Sequence, residues 1–386
     1  MSQNRQIFWV VPDRFDIKPD KSTWIETSEA LIDSGNDVSI LAYGKNEYQT
    51  KNNKLKFIYV SAFDRFSLFR FSLLFNILIS LLQKSKPSDI VIINQDALMI
   101  APVLRLFRRR NILLDIRTVP VEINSFKRKL DRWLFWTFPM RFLRKFATGY
   151  SFITDVLRRD TEKEFNTKFD DYVLWSSGVN TSIFQPKKSE TLNYETDEFI
   201  LFYHGTISEK RGIGCVIDAM VDLKKKFDGK IQFVIVGDGP DYAALKKRSE
   251  QLELSDVVKF TGLIPYHDVP NAIAKADCCI CPLPNRHEWN VSSPIKVFEY
   301  MASGKPMILT PILPHKEVGK DHNFVVWTKG DLPRDYAEAI EYAYHNRTKL
   351  AESGARARDV AKECYEWSIQ GKKLADYLAQ TFPLRT

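Results

Sequence analysis

Histidine and cysteine are scarce in this 386-residue chain, with six of the first and five of the second. An odd number of cysteines, three of them packed into Cys278-Cys279-Ile280-Cys281, has no disulfide-framework spacing and argues against a stapled, secreted scaffold. Zinc is a poor alternative: adjacent side chains on a strand point to opposite faces, so the three thiols cannot converge on one ion, and no close histidine pair completes a ligand set. Long apolar runs are missing too. The longest, Leu73 to Leu82, is broken by Asn76 and Ser80 and stays well under the roughly 20 residues that cross a bilayer. Gln6 to Val11 follows a polar start and is too short for a secretory leader, so the expected compartment is the cytoplasm. The Asn-x-Ser/Thr sequences at Asn180, Asn290 and Asn346 then carry no glycosylation message. Complete nucleotide loops are absent as well. Gly237-Asp238-Gly239 lacks the third glycine of a dinucleotide fingerprint, and Gly304-Lys305-Pro306 has proline where a Walker loop needs Ser or Thr.

What the chain does have is length, apolar content and positive charge. With 386 residues and 44% hydrophobic side chains it has enough for two domains, each with its own core. Its 56 Lys+Arg against 48 Asp+Glu leave a formal charge of +8, which favours anionic partners: a nucleotide, a lipid surface or nucleic acid. From Ile7 onward, short and nearly continuous apolar strands alternate with helical patterns, the grammar of parallel sheets covered on both faces. A polar, aperiodic stretch from Lys187 to Asp197 interrupts this, and the same grammar restarts at Phe199. The expected organisation is therefore a first domain over 1–186, a linker over 187–197, a second domain over 198–362 and a C-terminal helix over 363–386.

Ser292 to Thr310 is the stretch where cap, helix, stop and strand signals fall in unbroken order. Ser292 or Ser293 is placed to cap a helix and Pro294 suits its first position. Ile295, Phe298 and Met301 recur at helical spacing, Gly304 suits a left-handed C′ residue, and Met307 begins a buried strand. Lys296 and Glu299 then face away from the apolar stripe, toward solvent, beside amides that suit a phosphate. Loops at the carboxyl ends of parallel strands bind ligands in open α/β sheets, so Gly205, Gly237, Gly262 and the Ser292 turn should form the walls of one site.

Five stretches in order, YHGTISEKRG, VIVGDGP, VVKFTGLIP, ADCCICP and SPIKVFEYMASGKP, resemble the donor-binding domain of glycosyltransferase family 4. The resemblance covers nearly all of the second half. It implies an α/β protein of the GT-B class, two Rossmann-like, doubly wound parallel-sheet domains facing each other across a cleft. It also implies a transferase of hexosyl groups, with retention, from a UDP- or GDP-linked sugar. Family members hold the donor ribose with a Glu that matches Glu299, and the donor phosphates with a basic residue that matches Arg211. Lys210 and Lys296 stand in reserve for the phosphates, and Gly262 and Leu263 match the turn that reads the base. Family front-face transfer needs neither a metal nor another cofactor, and the chain has no Asp-x-Asp metal motif. The sequence departs from the family at Thr206, where an Arg is frequent, and at Val291, where a second Glu usually touches the donor sugar. Glu288 and Asn290 lie near that position but out of register.

In the first half the resemblance thins. Leu113 to Pro120 lies where relatives often carry a histidine, and has Asp115, Arg117 and Thr118 instead. Asp13, after the first strand, and Asp115 are candidates for acid/base work, each equally placed to cap a helix or join an ion pair. Phe63 to Lys86 and Phe126 to Phe146 interleave aromatics with cations. The first reads as a helix packing its rings into the core; the second has the composition of a helix lying in an anionic membrane interface. The expected partners are a nucleotide-sugar, a lipid-linked or glycan acceptor and the inner face of the plasma membrane, in surface polysaccharide biosynthesis. Two other classes compete: a nucleotide-sugar epimerase on the same scaffold and a nucleic-acid-binding protein, for which the chain has no recognition module.

Overall fold

A computed structural model describes residues 5–15, 21–44, 53–63, 68–107, 111–119, 126–186 and 198–383. The chain forms two units: Met1–Ser177 with Trp367–Thr386, and Gly178–Glu366. The linker expected at 187–197 lies outside the described residues, and the division between units falls earlier, after Ser177.

The first unit has one seven-stranded, wholly parallel sheet: β1 (Arg5–Arg14), β2 (Asn36–Tyr43), β3 (Lys56–Tyr59), β4 (Ile90–Asn94), β5 (Asn111–Ile116), β6 (Gly149–Phe152) and β7 (Tyr172–Leu174), in the order β3-β2-β1-β4-β5-β6-β7. Its helices are α1 (Ser22–Asp33), α2 (Phe69–Lys84), α3 (Ala101–Leu106), α4 (Phe126–Arg132) and α5 (Asp155–Phe165). After α4 the chain winds through two wide π-type turns, Trp133–Thr137 and Pro139–Leu143. The central strands carry Val, Ile and Leu on both faces because helices cover both, as β4 shows with Ile90, Val91, Ile92 and Ile93 all buried. β3 has no sequence signal of its own: it is a four-residue edge strand whose residues are exposed or half-buried, so no core pattern marks it.

The second unit has β8 (Phe199–His204), β9 (Ile231–Val236), β10 (Val258–Gly262), β11 (Cys278–Cys281), β12 (Met307–Leu309) and β13 (Val325–Trp327), all parallel, in the order β10-β9-β8-β11-β12-β13. Its helices are α6 (Ile213–Lys226), α7 (Tyr242–Gln251), α8 (Val269–Ala274), α9 (His287–Asn290), α10 (Ile295–Ala302), α11 (Leu313–Gly319), α12 (Pro333–His345) and α13 (Arg347–Cys364). The order reverses between β8 and β11, the switch point at which doubly wound sheets bind ligands. The cysteine run shows the pleat directly. Cys278 joins the core under α6 and α12, whereas Cys279 and Cys281 join the opposite core under α10 and α13.

The chain's last helix, α14 (Trp367–Thr381), returns to the first unit and lies along α1. Trp367, Leu374, Tyr377 and Leu378 sit in the same core as Trp9, Leu31 and Ile40. Gly371 makes the approach possible: a Cβ there would stand 2.3 Å from the Cβ of Ala30. The Tyr377 hydroxyl accepts from the Tyr150 amide (3.2 Å) and donates to the Asp171 carbonyl (3.1 Å), fixing the register of the helix on the sheet.

Candidate functional site

The carboxyl ends of β8, β9 and β10 are drawn together by their glycines. The Gly205 amide donates to the Val236 carbonyl at 3.0 Å, and the Gly237 amide to the Gly262 carbonyl at 2.9 Å. Gly237, at φ +135°, has no room for a side chain, since a Cβ would stand 2.0 Å from the Gly205 carbonyl oxygen. Gly205, at φ +125°, presents bare backbone to Lys296, whose Nζ lies 3.0 Å from where its Cβ would be. Leu263, beyond Gly262, is 76% exposed.

Two expectations about the signature helix are corrected here. Neither Ser292 nor Ser293 caps it: Pro294 occupies the N-cap position, α10 begins at Ile295, and the Ser292 hydroxyl donates back to the Trp289 carbonyl (2.8 Å), closing the preceding turn. Nor do Lys296 and Glu299 face solvent; they are 8% and 4% exposed. The reason is that α10 is covered twice, by the sheet on one side and by α13 on the other, so its polar face is interior as well. The stop signals hold, with Gly304 at φ +67° after Ser303 and Met307–Leu309 forming β12.

Among the described residues Lys296 has one hydrogen-bond partner, the Tyr203 hydroxyl at 3.0 Å, and its ammonium lies 4.1 Å from that ring's centre. The same hydroxyl donates to the Thr206 carbonyl at 2.9 Å, which is how Thr206 enters the site. An ammonium carries three donors, and burying it beside a neutral hydroxyl alone is costly. Arg211, just before α6, stacks its guanidinium over Trp289 at 4.8 Å. Trp289 is held in turn by its indole N–H on the Lys210 carbonyl, at 2.9 Å. Among the described residues no carboxylate pairs with Lys296 or Arg211. Burial raises the Cys281 thiol pKa, and Lys296 and Arg211 oppose that rise, so both charges reach the end of β11 at the switch point.

Glu299 faces His204. Their Nε2 and Oε2 atoms are 3.1 Å apart, yet off the line of a hydrogen bond, which leaves both groups able to turn toward a third. The His204 amide donates to the Tyr300 hydroxyl at 3.2 Å, and its ring meets Tyr300 edge-on. His204 and Trp289 were not singled out in the sequence, although both flank residues that were. Position alone was the available signal: His204 ends a strand at the switch point. Near Lys296, His315 is fully buried. Its Nδ1 donates to the Thr310 carbonyl at 2.8 Å, its Nε2 has no hydrogen-bond partner, and burial pushes its pKa down to about 4, with Lys296 adding to the effect.

Val291 is buried, as its apolar side chain requires. Asn290 ties its loop internally, donating to Asn285 and Arg286 and accepting from the Leu313 amide. In the first unit, Asp13 accepts from the Arg14 amide at 2.8 Å. Asp115 lies within the sheet and accepts from the Ser151 hydroxyl at 2.6 Å. Burial raises its carboxyl pKa, and Arg117 and Ser151 work in the opposite direction. Its visible partners are structural ones.

Residues 184–360 match the family model of the glycosyl transferases group 1. Just under half of the chain carries the likeness to that family. Within it, the alpha-D-kanosaminyltransferase of Streptomyces kanamyceticus is 27% identical over 182 residues, 46% of this chain and 45% of that one. The alpha-monoglucosyldiacylglycerol synthase of Streptococcus pneumoniae is 31% identical over 190 residues, 48% of this chain and 40% of that one. The aligned stretch thus spans less than half the length of these curated relatives. Among solved structures, a sucrose-phosphate synthase from Thermosynechococcus elongatus superimposes with a TM-score of 0.80 at 15% identity, over 98% of this chain and 99% of that one. HepE of Anabaena, solved with UDP and glucose, gives 0.72 at 15% identity, over 98% and 100%. At this identity the likeness shows the fold, which is GT-B, with parallel sheets of seven and six strands.

Proposed function

We propose that this protein is a glycosyltransferase that takes a UDP- or GDP-linked sugar on its second unit and passes the sugar to a lipid-linked or glycan acceptor. One observation carries the reading: Lys296 is a buried cation whose single partner among the described residues is neutral, beside the bare backbone of Gly205 and, with Arg211, within electrostatic reach of the switch point. A diphosphate supplies the missing negative charge. As the glycosidic bond breaks, charge grows on the leaving phosphate oxygen. Fixed cations in a water-poor site stabilise that charge without reorganising. Glu299 accepts from ribose hydroxyls, with the His204 ring beside its carboxylate, and Gly262 and Leu263 offer backbone and an exposed side chain to the base. The family resemblance supports transfer with retention, and the lipid named in one relative supports a lipid-linked acceptor, which would place the protein at the inner face of the plasma membrane. Asp13 and Asp115 are assigned no step.

The test incubates the purified protein with labelled UDP- and GDP-sugars, with and without a lipid-linked acceptor. Label moving to the acceptor is the expected result, and an isomerised donor with no transfer would replace the reading with that of an epimerase. Lys296→Met should weaken donor binding at least tenfold, the loss of one charge-assisted contact of roughly 1.5–3 kcal/mol. Wild-type affinity in that variant would remove the diphosphate from this site.

A further inference from the structure

α4 lies at the surface, with Arg132 paired to Glu164 at 2.9 Å. None of Phe126–Arg132 is buried. Phe126 and Leu130, with Trp133 just beyond the helix, stand at i, i+4 and i+7, and are 83%, 46% and 52% exposed. A second bare stripe runs along α2, where Phe71, Phe75 and Ile79 are exposed opposite the buried Leu73, Leu74, Ile77 and Leu81. This corrects the expectation that the first aromatic segment packs its rings inward. Arg65 and Phe66 of that segment lie outside the described residues. α2 is apolar on two faces, and only one meets the sheet. The stripes adjoin at Phe135, whose ring lies 5.4 Å from Phe71 and under the guanidinium of Arg70 at 5.0 Å. Trp133, Phe138 and Phe142 continue the row with ring separations of 5.6 and 5.3 Å. Lys127, Arg128, Lys129, Arg141 and Lys145 are exposed around it, and Asp131 is the one acid between Phe126 and Phe146.

We propose that this face of the first unit docks on an anionic lipid bilayer, the exposed rings entering the interface and the cations resting on headgroup phosphates. Charge selects this occupant. A second copy of the chain would set cation against cation, and a nucleic acid would engage the cations while leaving the apolar stripes in water. The inference deepens the reading of a lipid-linked acceptor, and its evidence comes from the first unit alone.

Flotation of the full chain, with no donor present, on vesicles of phosphatidylcholine alone and of phosphatidylcholine mixed with phosphatidylglycerol provides the test. The wild type should float with the anionic vesicles and stay free of the neutral ones. Phe126→Ser/Leu130→Ser/Trp133→Ser should reduce binding at least tenfold. Lys127→Glu/Arg128→Glu/Lys129→Glu should reduce it by roughly fivefold or more per charge. Every substituted side chain is exposed, so unchanged urea unfolding serves as the folding control. A wild type that ignores anionic vesicles, or variants that float as well as it does, overturns the proposal. So does an oligomer dissolved by the serine variant, or binding confined to an RNA oligonucleotide. Transfer to a water-soluble acceptor is measured on the same preparations. Transfer without vesicle binding overturns only the docking, and vesicle binding without transfer overturns only the transferase reading.

Discussion

Arg211 and Glu299 differ in when their charge matters. In the proposed reading Glu299 meets hydroxyls that are the same before and during reaction, so Glu299→Gln should weaken donor binding by roughly 1.5–3 kcal/mol and leave turnover nearly unchanged. In the same reading Arg211 faces charge that grows as the diphosphate departs, so Arg211→Ala should lower turnover on the order of a hundredfold, more than it lowers binding. Calorimetry and initial rates on both variants separate the two roles, and equal losses in both quantities would merge them. His315 makes a prediction about stability. Its folded pKa is depressed from 6.5 to about 4, so the unfolded chain binds the extra proton first. Stability is whole above pH 6.5, falls as the pH drops from there to about 4, and levels off below, by about 3 kcal/mol in all. Urea unfolding at pH 7 and pH 4.5 measures it, and His315→Asn, which keeps an N–H near Thr310, should flatten the dependence. A slope unchanged in the variant would assign it to other groups.

At the scale of elements, periodicity identified what a helix or strand was, and packing decided which of its faces were covered. β4, β5 and β9 show why the strand grammar was legible, because buried parallel strands are continuous apolar runs with turns at both ends. The position of α10 was legible from its C-terminal stop and the strand after it. The burial of its charged face was not, since that depends on α13, some fifty residues later, lying over it. The same limit applies to α2, whose two apolar faces look alike in sequence. The α1–α14 contact offers a direct measurement. Gly371→Leu gains about 0.8 kcal/mol of helix propensity and loses roughly 1–3 kcal/mol to overpacking against Ala30, so the net effect is destabilising. Urea unfolding should show the first unit weakened while donor binding by the second is unchanged. Weakened donor binding would mean that the helix also supports the second unit.

For the molecule as a whole, the sequence disclosed the class and the two-part organisation through repetition: the same strand-helix grammar appears twice, with a polar interruption between. The family resemblance covered the second unit, where backbone turns and fixed charges meet a constant donor chemistry. It thinned in the first, which the proposed reading gives to the acceptor. The return of α14 also bears on how the protein is made. The second unit is one continuous stretch, Gly178–Glu366, and can close as it leaves the ribosome. The first unit cannot. Its residues emerge earlier, yet α1 lacks its partner until Trp367–Thr381 has been synthesised, so the part translated first is the part completed last, holding an uncovered apolar groove through the making of the whole second unit.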